Sequence, residues 1–82
     1  MQLAGKVAIV TGAGQGLGAA IARAYAREGA CVAVVDVNFE AAQAVAAELQ
    51  NSGAQALGLS CSVADAEQVQ AMADAVHKAW GR

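Results

Sequence analysis

Eight consecutive residues, Thr11-Gly12-Ala13-Gly14-Gln15-Gly16-Leu17-Gly18, set four glycines between an apolar run and an amphipathic one. Glycines let backbone N–H groups come close to an anion, and a helix starting there adds unpaired donors and the positive end of its dipole. A phosphate suits such a turn. The second chemical feature is Asp36, which closes the apolar run Cys31 to Val35, 18 positions after Gly18. A carboxylate at that place accepts from ribose hydroxyls in a dinucleotide-binding strand–helix–strand unit, and Val7 to Asp36 spans the usual 30 residues. Gly12 follows the strand directly, which favours the register Gly12-x-x-x-Gly16-x-Gly18 over Gly14-x-Gly16-x-x-Ala19. Both registers put the phosphate on the same helix end.

The elements that must hold these residues repeat strand then helix three times. The strands are expected at Lys6–Thr11, Cys31–Asp36 and Ala56–Cys61. The first two are continuous apolar runs, as parallel strands covered on both faces should be. The third, with Gly58 and Ser60 inside it, is weaker and suits an edge. The first helix should start at the glycine loop, bury a stripe of Leu17, Ala20, Ile21, Ala24 and Tyr25, and end at Gly29. The second has Asn38 as N-cap, a buried face of Ala41, Ala42, Val45 and Leu49, and a stop near Gly53. The third has Asp65 as N-cap with Gln68 three residues on, a capping box, and buries Val69, Met72, Ala73, Val76 and Trp80 before Gly81. Right-handed crossovers give an α/β, Rossmann-like half: three parallel strands in the order 3-2-1, helices on both faces, and a ligand across the carboxyl ends of the strands.

Leu3-x-Gly5-Lys6-Val7-Ala8-x-Val10-Thr11-Gly12-x-x-x-Gly16-x-Gly18 resembles the opening of a short-chain dehydrogenase/reductase. Val63-Ala64-Asp65 and Trp80-Gly81-Arg82 sit where the third strand and the next helix of that family end, so the resemblance covers all 82 residues. It implies that Gly16 and Leu17 present backbone N–H groups to a pyrophosphate and that Gly18 serves close helix–strand packing. Gln15 stands where NADP-preferring members often carry a basic residue, and an amide cannot neutralise a 2′-phosphate. Val37, Asn38 and Phe39 follow Asp36 without a base, so NAD is favoured over NADP. Ser62-Val63 takes the place of the family's Asp-Val, which serves the adenine; the hydroxyl of Ser62 accepts with less charge assistance than the acid it replaces. The expected cofactor-binding set is therefore Gly12, Gln15, Gly16, Leu17, Asp36, Val37, Ser62 and Val63.

The family's catalytic groups, a Ser, a Tyr-x-x-x-Lys pair and an Asn-containing turn, have no counterpart in the chain. Its one tyrosine is Tyr25, followed four residues later by Gly29, and its lysines are Lys6 and Lys78. The resemblance thus implies the NAD-binding portion of an alcohol/ketone oxidoreductase, one domain over 1–82 that stops before a fourth strand, inactive alone. Two alternatives stand beside it. One is a non-enzymatic nucleotide-binding or structural module. The other is a fragment of an S-adenosylmethionine-dependent methyltransferase, which normally wants an acid where Thr11 stands.

Composition narrows the classes further. Hydrophobic residues make up 57% with three aromatics, so the core must be built of Ala, Val and Leu. A net charge of −2 and a pI near 5.0 give no electrostatic footprint for nucleic acid or an anionic membrane. No signal peptide or membrane-length run is present, which makes the cytoplasm the expected compartment. Cys31 opens the second strand and Cys61 closes the third. Five strand residues at about 3.3 Å each put them roughly 16 Å apart, too far for a disulfide. One histidine and no clustered cysteines leave no metal site. The edge of the first strand, with Val7, Ile9 and Val10, carries no charge or proline to block a neighbour, so self-association there, or cover by the remainder of an enzyme, is expected.

Overall fold

Val32, Ala33, Val34 and Val35 are all fully buried, so the strand that carries them is covered on both faces. In the computed structural model, which describes residues 5–14, 16–62 and 64–81, this strand is β2 (Cys31–Asp36). It is flanked by β1 (Val7–Thr11) and β3 (Ala56–Ser60), and both pairings are parallel. Val7 lies opposite Cys31 and Thr11 opposite Val35 on one side; Val32 faces Ala56 and Asp36 faces Ser60 on the other. Counted from the first strand, the order is β1-β2-β3.

Parallel neighbours need long crossovers. Here they are α1 (Gly16–Arg27) and α2 (Phe39–Asn51), with α3 (Ala66–Trp80) following β3. The two-residue period of β2 divides the core. Val32 and Val34 join Ala19 and Ala22 of α1 and Ala42, Val45, Ala46 and Leu49 of α2. Ala33 and Val35 join Cys61 and Val76, with Val69, Met72 and Trp80 of α3 packed against them. The first two helices thus cover one face of the sheet and the third covers the other.

The expected stripe of α1 is corrected. Its buried residues are Ala19 and Ala22, with Tyr25 and Ala26 packed beside them, whereas Leu17 is 78% and Ile21 38% exposed. The helix leaves β1 through a tight loop and lies close on the sheet, so the small side chains face inward. The larger ones fall on a flank that no described element covers. Ala73, expected on the buried face of α3, is exposed. Gly58 is not a weakness of β3 either, because a Cβ there would stand 3.0 Å from the Gln43 Cα, and glycine lets α2 lie directly on the strand.

The helix ends follow side-chain chemistry. Asn38 caps α2 by accepting from the Ala41 N–H at 3.1 Å, and Asp65 caps α3 by accepting from Glu67 and Gln68. Gly81, with φ 73°, ends α3 in the left-handed region that favours glycine. Cys31 and Cys61 are free thiols at opposite ends of the sheet.

Candidate dinucleotide site

The carboxyl ends of the three strands are tied into one surface. After Thr11 the chain turns at Gly12, with φ 63°, and enters α1 at Gly16, with φ 61°. A Cβ at either glycine would meet nothing within 4 Å, so the turn demands them for backbone conformation and their faces are open. Gly14 and Gly18 are needed for space instead. A Cβ at Gly18 would run into the Gly12 carbonyl, the close helix–loop packing expected there. Between Gly12 and Gly14, Ala13 is fully buried and donates its N–H to the Val35 carbonyl at 3.0 Å, anchoring the loop on β2.

Asp36 is the node of this surface. Its Oδ2 accepts the Gly14 N–H at 3.0 Å and its Oδ1 accepts the Asn38 N–H at 3.0 Å. Those donors, Asn38 first and Gly14 second, hold the carboxyl below the usual carboxylate range, against a smaller opposing effect of burial. Its backbone carbonyl accepts from the Cys61 N–H at 3.2 Å, which joins the loop after β3 to the same point. The neighbouring Val37 is 71% exposed, and its carbonyl accepts from the Ser60 hydroxyl at 3.3 Å. Leu17, in the first turn of α1, is exposed beside the glycine turn in sequence.

Ser62 is half-buried, and its N–H donates to Gln68 Oε1 at 2.8 Å. This corrects the capping box. Asp65 plays its half, but Gln68 reaches past the cap residue to Ser62, while the Asp65 N–H goes to the Ser62 carbonyl. Of the expected site residues, Gly12, Gly16, Leu17, Asp36, Val37 and Ser62 are described and lie at the carboxyl ends of the strands or in the loops that leave them. Gln15 and Val63 lie outside the described residues.

Three contributors were not singled out from the sequence: Gly14 as a donor to Asp36, Asn38 as a second donor as well as a cap, and Gln68 as the holder of Ser62. The Asp-x-Asn spacing carries the signal for one of them, since an Asp side chain often accepts from the N–H two residues on. Contact between Gly14 and Asp36 is tertiary and leaves no local trace.

A cleft of about 880 Å³ opens at the amino ends of the strands between Arg23, Arg27, Glu48, Gln55 and Trp80. Arg23 and Glu48 are paired across it by two hydrogen bonds, Nε to Oε2 at 2.6 Å and an outer nitrogen to Oε1 at 3.1 Å. None of the expected site residues lines this cleft. Among the described residues no three His, Cys, Asp or Glu side chains gather as metal ligands, and no helix is long and apolar enough to cross a membrane.

A sequence model of the family described as short chain dehydrogenase matches residues 6–82. The chain belongs to the short chain dehydrogenase family. Within this family it is 56% identical, over 81 residues, to a D-threitol dehydrogenase of Mycolicibacterium smegmatis, covering 99% of this chain and 31% of that protein. It is 43% identical to a 7alpha-hydroxysteroid dehydrogenase of Escherichia coli, over 90% of this chain and 29% of that one. Among solved structures, a hydroxysteroid dehydrogenase from Escherichia coli superposes with a TM-score of 0.95 at 41% identity, over 99% of this chain and 33% of the other. A short chain dehydrogenase/reductase from Burkholderia phymatum in complex with NAD gives 0.94 at 38% identity, over 100% and 29%. The chain therefore spans about a third of the length of these relatives. Membership of this family sets aside the methyltransferase alternative.

Proposed function

We propose that residues 1–82 form the NAD-binding portion of an oxidoreductase that passes hydride between NAD and an alcohol or carbonyl substrate. The observation that carries this reading is Asp36, held as a carboxylate beside the glycine turn with acceptor capacity to spare. A carboxylate offers about four lone-pair positions, and two of them are taken by Gly14 and Asn38. Two remain for the two hydroxyls of a ribose.

The residues present fit the group. Gly12 and Gly16 leave the backbone of the turn open, and the start of α1 gives Gly16 and Leu17 as donors to a pyrophosphate. Val37 and Ser62 stand at the neighbouring loops; the resemblance adds Val63, with Ser62, toward the adenine, and Gln15 where a base would favour NADP. The parallel order β1-β2-β3 fits half of a doubly wound sheet. When bound, NAD supplies the hydride-accepting ring. The residues of this chain bind and orient it, and none of them is assigned a proton-transfer or other catalytic role.

NAD is preferred to NADP because a fixed negative charge at Asp36 opposes a 2′-phosphate. Calorimetric titration of the protein with each dinucleotide tests the reading, and equal affinities would overturn it.

A further inference from the structure

Gly14 combines a donor with a missing side chain at one point. Its N–H holds Asp36 Oδ2, while a Cβ in its place would stand 2.7 Å from the Ala41 Cβ and 2.8 Å from that same Oδ2. Ordinary contacts begin at 3.4 Å. Gly14 is not among the residues with positive φ, so alanine fits its backbone and only space excludes it. Gly12 and Gly16 are the reverse case, with positive φ and nothing in reach.

Relief of the collision would have to come from Ala41 or Asp36. Ala41 sits in the first turn of α2, fixed by the Asn38 cap on its N–H and by its fully buried neighbour Ala42. Asp36 can turn, but only by lengthening the bonds from Gly14 and Asn38 that aim it. The empty volume at Gly14 is therefore a condition for the position of the carboxylate.

We infer that Gly14 is a positioning residue, which by leaving space and donating its N–H aims the Asp36 carboxylate at the ribose 2′ position and so sets the discrimination between NAD and NADP. The inference rests on the reading of Asp36 as the ribose-binding acid. A side chain at this point of the turn would suit the backbone but meet Ala41 and Asp36, and so would weaken discrimination with Asp36 itself unchanged.

The test uses the full-length protein that carries residues 1–82, as wild type, Gly14→Ala, Asp36→Asn and the double variant. Two quantities are measured: the ratio of NADP to NAD dissociation constants by calorimetry, and the titration of the Asp36 carboxyl by carbon NMR. Gly14→Ala should lower the ratio about tenfold, a partial loss of one charge-assisted hydrogen bond. It should also raise the Asp36 midpoint toward the ordinary range, and leave the ratio unchanged in the D36N background. An unchanged ratio and midpoint in Gly14→Ala, or an equal loss in the D36N background, would overturn the proposal. If the wild type binds both dinucleotides alike, the reading of Asp36 fails instead, and the carboxyl midpoint alone decides the role of Gly14. Should Gly14→Ala not fold, adding Ala41→Gly removes the nearer collision and the same two measurements apply.

Discussion

Gln68, in the first turn of α3, accepts the backbone N–H of Ser62 through Oε1 at 2.8 Å, while its Nε2 donates to Asp65 Oδ2 at 3.3 Å. One side chain thus fixes both the cap of α3 and the loop that leaves β3. The loop is also tied to Asp36 through Cys61, so the far side of the proposed adenine site and the proposed ribose-binding acid share a frame.

Replacing Gln68 with alanine should therefore cost about 0.5–1.5 kcal/mol, the usual net value of such a hydrogen bond. Denaturant unfolding measures it. Ser62 is half-buried, so water takes up part of the loss and the low end of that range is expected. Dinucleotide affinity should fall in the same variant, because the loop loses its tether. An unaltered midpoint together with unaltered affinity would show that the contact does nothing.

Asp36 makes a prediction with a definite sign in pH. Its folded pKa is depressed by the Asn38 and Gly14 N–H groups. A depressed carboxyl contributes stability that is fully present above the unfolded value, about 3.9, and is lost as pH falls through the lower folded value. The stability gap between wild type and Asp36→Asn should accordingly be constant from neutral pH down to the ordinary carboxylate range and close below it. Thermal unfolding across that series is the measurement; a gap that widens on acidification would contradict the assigned cause. At neutral pH the same substitution should reduce the preference for NAD by roughly 10- to 150-fold, the loss of one charge-assisted hydrogen bond.

Much of this was legible in local signals. Asn38, Asp65 and Gly81 act as caps because short polar side chains and a glycine read the same way in any helix end. The central place of β2 follows from right-handed crossovers, and its apolar run agrees with cover on both faces. The stripe of α1 departs from the hydrophobic pattern for a tertiary reason. Hydrophobicity alone ranks Leu17 and Ile21 above Ala19 and Ala22, but the tight turn brings the helix so near the sheet that only small residues fit between. The partners of Gly14 and Gln68 were hidden for a similar reason, because each depends on how separate loops meet.

The chain of 82 residues should turn over no alcohol or ketone with NAD on its own. It contains no Tyr-x-x-x-Lys pair, and its one tyrosine is half-buried on α1 against the core rather than at the carboxyl ends of the strands. Absorbance of NADH with a panel of alcohols and carbonyl compounds is the assay. Turnover that survives repurification would mean that other residues of the chain carry the chemistry.

The last prediction concerns β1, which has β2 on one side and no described strand on the other. Val10 is 7% exposed and Val7 packs against the cluster under α3, so the large apolar residue left open on this strand is Ile9, at 45%. Leu17 and Ile21 of α1 add further uncovered apolar surface. Nothing in Val7–Thr11 is charged, and the chain has no proline to block the free N–H and C=O groups. Such an edge is a template for another strand. In a longer protein a further strand would occupy it. In the 82-residue chain alone a second copy should do so, and light scattering should show a mass that rises with concentration. Ile9→Lys places a charge on this exposed position of the edge strand and should hold the chain monomeric. Association that is unchanged by Ile9→Lys would place the contact elsewhere, and a monomer at high micromolar concentration would mean that β1 is protected without a partner.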